Sequence, residues 1–338
     1  PKDVLDVLGL KEKVIKELSG ELEEELDKAM EFLKVSEWTT DMKIQFWGVR
    51  GSIPTPGRKT IKYGGNTPCT ELTTNSGKMI IIDMGTGLRE LGNDLLKRGG
   101  PVKADIFLSH THWDHIHGWP FFVPAFISGN SFTIHGPVSS IDEKLSDVVG
   151  KQMTYSYFPV KLEHMEAEVN FVELKEEKLE LGEVKIRTQY LNHPILCLGY
   201  RFEVDDRVFV YASDNEPYYN VFESSEDDLF QMEAEAAIEE MNVRMLNFIK
   251  GADLLVHDAQ YTAEEYPAKI GWGHTSVERL LDNVIKADVN RVALFHHDPE
   301  RTDLDLDDIL EKSRQMLRDK GHESIEVIGA SEGSIIEL

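Results

Sequence analysis

At 338 residues with a 41% hydrophobic composition, the chain has material for one large domain or two ordinary ones and for a substantial core. Its formal net charge of -25 opposes the counterion exchange by which basic proteins hold nucleic acid or anionic membrane, so neither is expected as a partner. Two cysteines without C-x-x-C spacing exclude a disulfide framework and a thiolate zinc site, and without a membrane-length apolar run or a signal-peptide core the expected location is the cytoplasm.

Residues 1–41 are rich in Glu and Lys and place Val14, Leu18, Leu22, Leu26, Met30 and Leu33 at helical spacing. This predicts an amphipathic N-terminal helix, which either packs on its own domain or serves docking or homodimerisation. Trp38 to Asp41 reads as the junction, so the expected units are a helical extension, 1–41, and a second domain, 42–338. That domain opens with an alternating strand, Lys43 to Trp47, followed by the Gly- and Pro-rich loop Gly48 to Gly57. Glycines there allow either an ordinary connection or a close backbone approach to an anion, to which Arg50 would add a fork of donors. The turn Tyr63 to Thr67 offers the same choice and carries Asn66. Thr70 to Thr74 and Lys78 to Asp83 predict a hairpin, and a helix follows to about Lys97, closed by Gly99 and Gly100.

The apolar run Ala104 to Leu108 predicts a buried strand that ends in Ser109-His110-Thr111-His112-Trp113-Asp114-His115. An H-x-H-x-D-H array at a strand end places imidazoles and a carboxylate together on a loop, the donor set of a metal site. Tyr155, Tyr157 and Phe158 are expected in the core rather than at a pocket mouth. Two later strands repeat the arrangement: Lys185 to Leu191 runs into His193, and Arg207 to Tyr211 runs into Asp214. Residues 223–249 predict a long acidic helix covering the sheet. Leu254 to Val256 ends in His257 and Asp258, Gly273 and His274 precede a helix start at Thr275 and Ser276, and Val292 to Phe295 ends in His296 and His297. Either of the last two histidines could be a ligand. Helix and strand alternate to the C-terminus, so periodicity supports a mixed α/β fold.

The ordered set His110, His112, Asp114, His115, His193, Asp214, His274 and His296 resembles the metallo-β-lactamase superfamily, within it the phosphodiesterase branch that includes phosphoribosyl cyclic phosphate phosphodiesterase and the tRNA 3′-processing endonuclease. The resemblance covers about Met42 to Leu338. It implies an α/β, four-layer αββα sandwich, to which the N-terminal helix is an addition. It also implies two divalent metal ions, zinc first with manganese or iron as alternatives. One would be held by His110, His112 and His193 and the other by Asp114, His115 and His296, with Asp214 bridging; His296 fits the family pattern better than His297. A water shared by the pair would be available as hydroxide near neutral pH. Asp114, His274 as general acid and Asp258 as its partner are the implied catalytic residues, with Arg50, Ser52, Asn66, Thr275 and Ser276 binding substrate.

The activity expected from this is hydrolysis of a small phosphodiester, with cyclic phosphates and cyclic nucleotides as candidates. The alternatives are a tRNA 3′-end endonuclease, a thioesterase or glyoxalase-type hydrolase, and a di-iron sensing or signalling module. The acidic charge and the lack of a long basic arm argue against the endonuclease at this stage, and His112, where oxygen-reducing relatives carry Glu, argues against the sensor.

Overall fold

The computed structural model describes residues 42–137, 143–220 and 228–338; the predicted N-terminal helix and the start of the predicted acidic helix lie outside them. In chain order the regular elements are β1 (Lys43–Gly48), β2 (Cys69–Thr73), β3 (Met79–Ile82), α1 (Gly87–Arg98), β4 (Lys103–Phe107), α2 (Trp113–Ile116), β5 (Ser131–Pro137), α3 (Leu145–Lys151), β6 (Glu168–Leu174) and β7 (Lys178–Leu181). Then come β8 (Val184–Leu191), β9 (Cys197–Val204), β10 (Arg207–Ala212), α4 (Asp228–Ile249), β11 (Leu254–Asp258), α5 (Val277–Lys286), β12 (Arg291–Phe295), α6 (Asp303–Asp319), β13 (Glu326–Gly329) and β14 (Ile335–Glu337).

The strands form two seven-stranded sheets, ordered β14-β1-β2-β3-β4-β5-β6 and β13-β12-β11-β10-β9-β8-β7. In β1 the alternation predicted from sequence is real: Ile44 and Phe46 face inward while Lys43 is exposed. The predicted hairpin is the antiparallel β2–β3 pair, with Thr70 opposite Ile82. β3 to β6 then run parallel, as do β10 to β13. Their buried runs, such as Leu254 to Asp258, lack alternation because both faces are covered.

Three apolar clusters define the layers. Ile44, Phe46, Ile80 and Ile82 of one sheet meet Ile186, Tyr200, Phe202 and Phe209 of the other between the two sheets. Leu88, Leu91 and Leu95 of α1 cover the outer face of the first sheet against Ile81, Ile106 and Leu108. On the second sheet Phe248 of α4, Leu280 and Leu281 of α5 and Leu310 of α6 pack on Val210, Leu255 and Val292. The order is helix, sheet, sheet, helix, the αββα sandwich implied by the sequence. The expectation of core packing fails for Tyr155 and Tyr157, which are exposed, while Phe158 is partly buried against the cluster on the first sheet. No helix among the described residues is long and apolar enough to cross a membrane.

Candidate metal centre

Parallel strands deliver their carboxyl ends to one rim, where side chains from different elements can converge. Asp83 follows β3, His110 follows β4, Asp214 follows β10, Asp258 ends β11 and His296 follows β12. His193 comes from the turn between β8 and β9, and His112, Asp114 and His115 come from the first turn of α2 and the residue before it. His296 takes φ +54°, a left-handed conformation uncommon outside glycine, which holds the imidazole at an abrupt strand exit.

Donor atoms of His110, His112 and His193 lie within 4.8 Å of one another, and so do those of Asp114, His115 and His296. Asp214 touches both sets: its carboxylate oxygens stand 3.6 Å from His110 Nε2, 3.5 Å from His115 Nε2 and 3.4 Å from His296 Nε2. Four of the rings are oriented from behind. His115 Nδ1 lies 2.9 Å from Asp83 Oδ2, His193 Nδ1 3.0 Å from the Gly273 carbonyl and His296 Nδ1 3.0 Å from Gln260 Oε1. His110 Nδ1 is 3.1 Å from Ser109 Oγ. Partners of this kind fix tautomer and ring direction and leave the other nitrogen for a metal. His110 Nε2 is fully buried without a hydrogen-bond partner, a condition that costs about 1–3 kcal/mol unless something fills the gap. An ion held by this donor set would remove that cost, and the overlapping triads suit two divalent ions bound by nitrogen and oxygen.

Electrostatics keep His110, His193, Asp114 and Asp214 in their ligating forms. At His115 burial would lower the ring, but the charges of Asp114, Asp214 and Asp83 outweigh it and raise the ring well above the ordinary imidazole range, so that an ion bound there would displace a proton. Burial drives His110 well below the ordinary imidazole range and His193 down to about 4, so both are neutral. Burial alone would raise Asp214 and Asp114; the surrounding imidazoles, chiefly His296 and His115, outweigh it and hold both well below the usual carboxylate range. His274 behaves oppositely to His193. Burial would lower it, but the charge and hydrogen bond of Asp258, with Asp214 and Asp114 behind, raise it to about 9. Its Nδ1 lies 3.3 Å from Asp258 Oδ2, which also accepts from the Thr275 amide at 2.9 Å. His274 therefore faces the centre as a proton-bearing group, its ring stacked 4.9 Å from that of His296.

The expected substrate-binding residues divide. Arg50 is fully buried, its Nε donating to the Gly64 carbonyl at 2.8 Å and its Nη1 to the carbonyls of Asp298 and Arg301 at 3.2 and 2.8 Å. The fork expected to meet phosphate joins three backbone segments instead, although Nη2 is buried without a partner. Asn66 is likewise committed, its amide and Nδ2 donating to Glu332 at 2.6 and 3.0 Å. Ser276 caps α5, its hydroxyl accepting from Arg279 N at 3.3 Å, and Thr275 is buried behind His274. Ser52 reaches the centre through its backbone, whose N–H donates to Asp114 Oδ2 at 2.7 Å. His297 is turned away, donating from Nε2 to the Ala330 carbonyl at 2.9 Å, which leaves His296 as the histidine of that pair at the centre.

Several residues at the site carried no motif. Asp83 receives the Ser109 amide at 2.7 Å and the Tyr211 hydroxyl at 2.7 Å besides facing His115. Its only sequence signal is an acid at the end of a buried strand, the signal that did single out Asp214. Gln260 and Glu216 gave none. Glu216 accepts from the Tyr266 hydroxyl and from the amides of Gly271 and Gly273, and so pins the loop that carries His274. Gly273 in that loop has no freedom to change, because a Cβ there would lie 2.2 Å from His193 Nδ1.

Residues 78–297 match the β-lactamase superfamily domain. Ribonuclease Z of Picrophilus torridus is 23% identical over 320 residues, covering 82% of this chain and 92% of that protein. Among solved structures, the metallo-β-lactamase fold protein YhfI from Bacillus subtilis superposes with a TM-score of 0.62 at 17% identity, over 89% of this chain and 100% of that one. A diphosphatase of the PhnP family gives 0.58 at 18% identity, over 88% and 97%. The ribonuclease relatives overturn the expectation that nucleic acid is not a partner. Net charge sums the whole surface and sets the long-range field, whereas the field at a binding site is local, and bound divalent ions would dominate it here.

Proposed function

This chain belongs to the metallo-β-lactamase superfamily and is a metal-dependent hydrolase of the phosphodiesterase kind; from that premise we propose that it cleaves phosphodiester bonds in RNA as a tRNA 3′-end endonuclease does. The observation that carries the reading is His274, a buried imidazole whose Nδ1 lies 3.3 Å from Asp258 Oδ2 and whose ring stacks on His296 at the centre where the two candidate metal-binding triads meet. The ribonuclease Z relatives supply the substrate class.

In this reading His110, His112 and His193 would hold one divalent ion and Asp114, His115 and His296 the other, with the Asp214 carboxylate available to both; zinc suits the donors well. When bound, the ions supply an acidified water and positive charge for the phosphoryl oxygens. The chain does the remainder. His274 keeps a proton at Nε2 and gives it to the leaving ribose oxygen, while Asp258 fixes the ring and stabilises its charged form. Asp83, Gln260 and the Gly273 carbonyl prevent the ligand rings from rotating, so that little reorganisation accompanies the reaction. The Ser52 amide steadies the Asp114 carboxylate from the opposite loop.

The test is a tRNA precursor with a 3′ trailer, incubated with zinc-loaded protein. A single internal cut that a chelator abolishes is the expected result. Failure to cut RNA together with turnover of a small cyclic phosphodiester would return the substrate to the one first expected, and turnover of only a thioester or lactam would remove phosphodiester chemistry altogether.

A further inference from the structure

Beside His193, which faces the candidate centre, lies a cavity of about 290 Å³, walled by Asn192, Pro194, Tyr218, Tyr219, Gly271 and Glu216, whose carboxylate is engaged by the Tyr266 hydroxyl and the Gly271 and Gly273 amides. We propose that this cavity is a nucleoside subsite, which takes the base and ribose next to the scissile phosphate and uses Tyr219 and Trp272 as its stacking surfaces. The proposal deepens the RNA reading and rests on it for the polymer, but not for the base.

Position comes first. His193 is shared: its Nε2 is 3.0 Å from His112 Nδ1 at the centre, and the residue also lines the cavity. In the proposed arrangement, a phosphate held at the centre would place its sugar beside His193 and its base in the cavity. The volume is at the lower end of small-ligand sites, the size of one nucleoside rather than of a folded segment. The walls fit a flat, partly polar ring system. Tyr218 and Tyr219 give aromatic surface, Pro194 an apolar edge, and Tyr219 keeps 38% of its surface exposed. Its hydroxyl is 3.3 Å from where a Cβ on Gly271 would stand, so the glycine leaves open the space beside it.

Trp272 follows directly. It is 58% exposed, and Lys269 Nζ lies 4.1 Å from its ring centroid, which puts a cation beside an aromatic face. Tryptophan is seldom left so open, and single-stranded nucleic acid is held by this combination of stacking rings and nearby positive charge. The loop is held rigid by Glu216, which accepts from the amides on both sides of Trp272, so the ring sits on a fixed support.

The experiment compares a short single-stranded RNA with the same oligomer made abasic at the nucleotides flanking the cut, using the zinc-loaded protein. Stacking of this kind makes Tyr219→Ala and Trp272→Ala each lower the preference for base-bearing over abasic substrate about tenfold, through KM more than kcat, with unchanged denaturation midpoints. Tyr219→Phe and Trp272→Phe should restore it. An unchanged preference in both alanine variants, or an equal loss on the abasic oligomer, overturns the proposal. If the wild type leaves RNA intact but opens cyclic nucleotides, the RNA reading falls alone; the same variants on a cyclic nucleotide then support the subsite by a raised KM or overturn it by an unchanged one.

Discussion

Two glycine-rich loops approach the candidate metal centre from opposite sheets, and they are built for different tasks. The loop from Gly48 to Gly57 is locked: Arg50 is buried among carbonyls, Gly51 gives its space to the His296 ring, and Ser52 contributes only an amide. The loop from Tyr266 to Ser276 is also tied down, yet it presents His274 to the centre and Trp272 to solvent. In the first, polar side chains are used up holding the scaffold; in the second, Glu216 holds the backbone amides on both sides of Trp272, so that His274 and Trp272 are not spent on the holding. A glycine-rich loop with an adjacent Arg is thus as good a description of a strut as of a phosphate cradle.

The sharpest way to break this comparison is to exchange the signatures. His274→Gln should lower kcat on a phosphodiester by about 10² to 10⁴ while the protein remains folded, since general-acid contributions are of that order. A smaller loss accompanied by unfolding would make His274 structural too. Arg50→Met should do the reverse, costing about 3 kcal/mol in urea denaturation because three carbonyls lose a charged donor, while the folded enzyme keeps its kcat. Next comes Gly273→Ala. A Cβ 2.2 Å from His193 Nδ1 must displace the ring, and calorimetric titration of the metal-free protein with zinc should show affinity weakened about 10- to 100-fold. Gly57→Ala, where a Cβ meets nothing within 4 Å, is the matched control and should bind zinc normally. Asn66→Ala should cost about 1 kcal/mol of stability and leave KM unaltered, because its amide serves Glu332; a raised KM would return Asn66 to the substrate.

The smallest expected effect is a pH slope behind the second loop. Burial keeps His257 below its ordinary value, so the folded form stays neutral where the unfolded chain takes up a proton, below about pH 6.5. The stability it contributes is complete above that pH and falls as the pH drops through it. His257→Gln should flatten the acid side of a stability profile measured by thermal denaturation.

Most of the fold, and the convergence of His110, His112, Asp114, His115, His193, Asp214 and His296 on one rim, were legible because both are written locally. Buried strands ending in His or Asp mark the rim wherever they occur, and His110 to His115 lie within one turn of chain. What could not be read depends on partners far away in sequence. Asn66 meets Glu332, Arg50 meets Asp298 and Arg301, and Gln260 orients His296; no spacing rule links such pairs. Arg50 misled for a chemical reason, since a guanidinium fork suits a cluster of carbonyls as well as it suits a phosphate. Net charge misled for a spatial one: it is a sum, and a binding site responds to what is near.

Asp83 has a consequence for the whole sandwich. It leaves the first sheet at the end of β3, receives the Tyr211 hydroxyl from β10 of the second, and with the same carboxylate sets the His115 ring. The joint between the sheets and the alignment of a ligand are thus one contact. An ion captured at the rim would therefore tighten a seam in the interior, and metal-free protein is expected to unfold at a lower temperature than zinc-loaded protein.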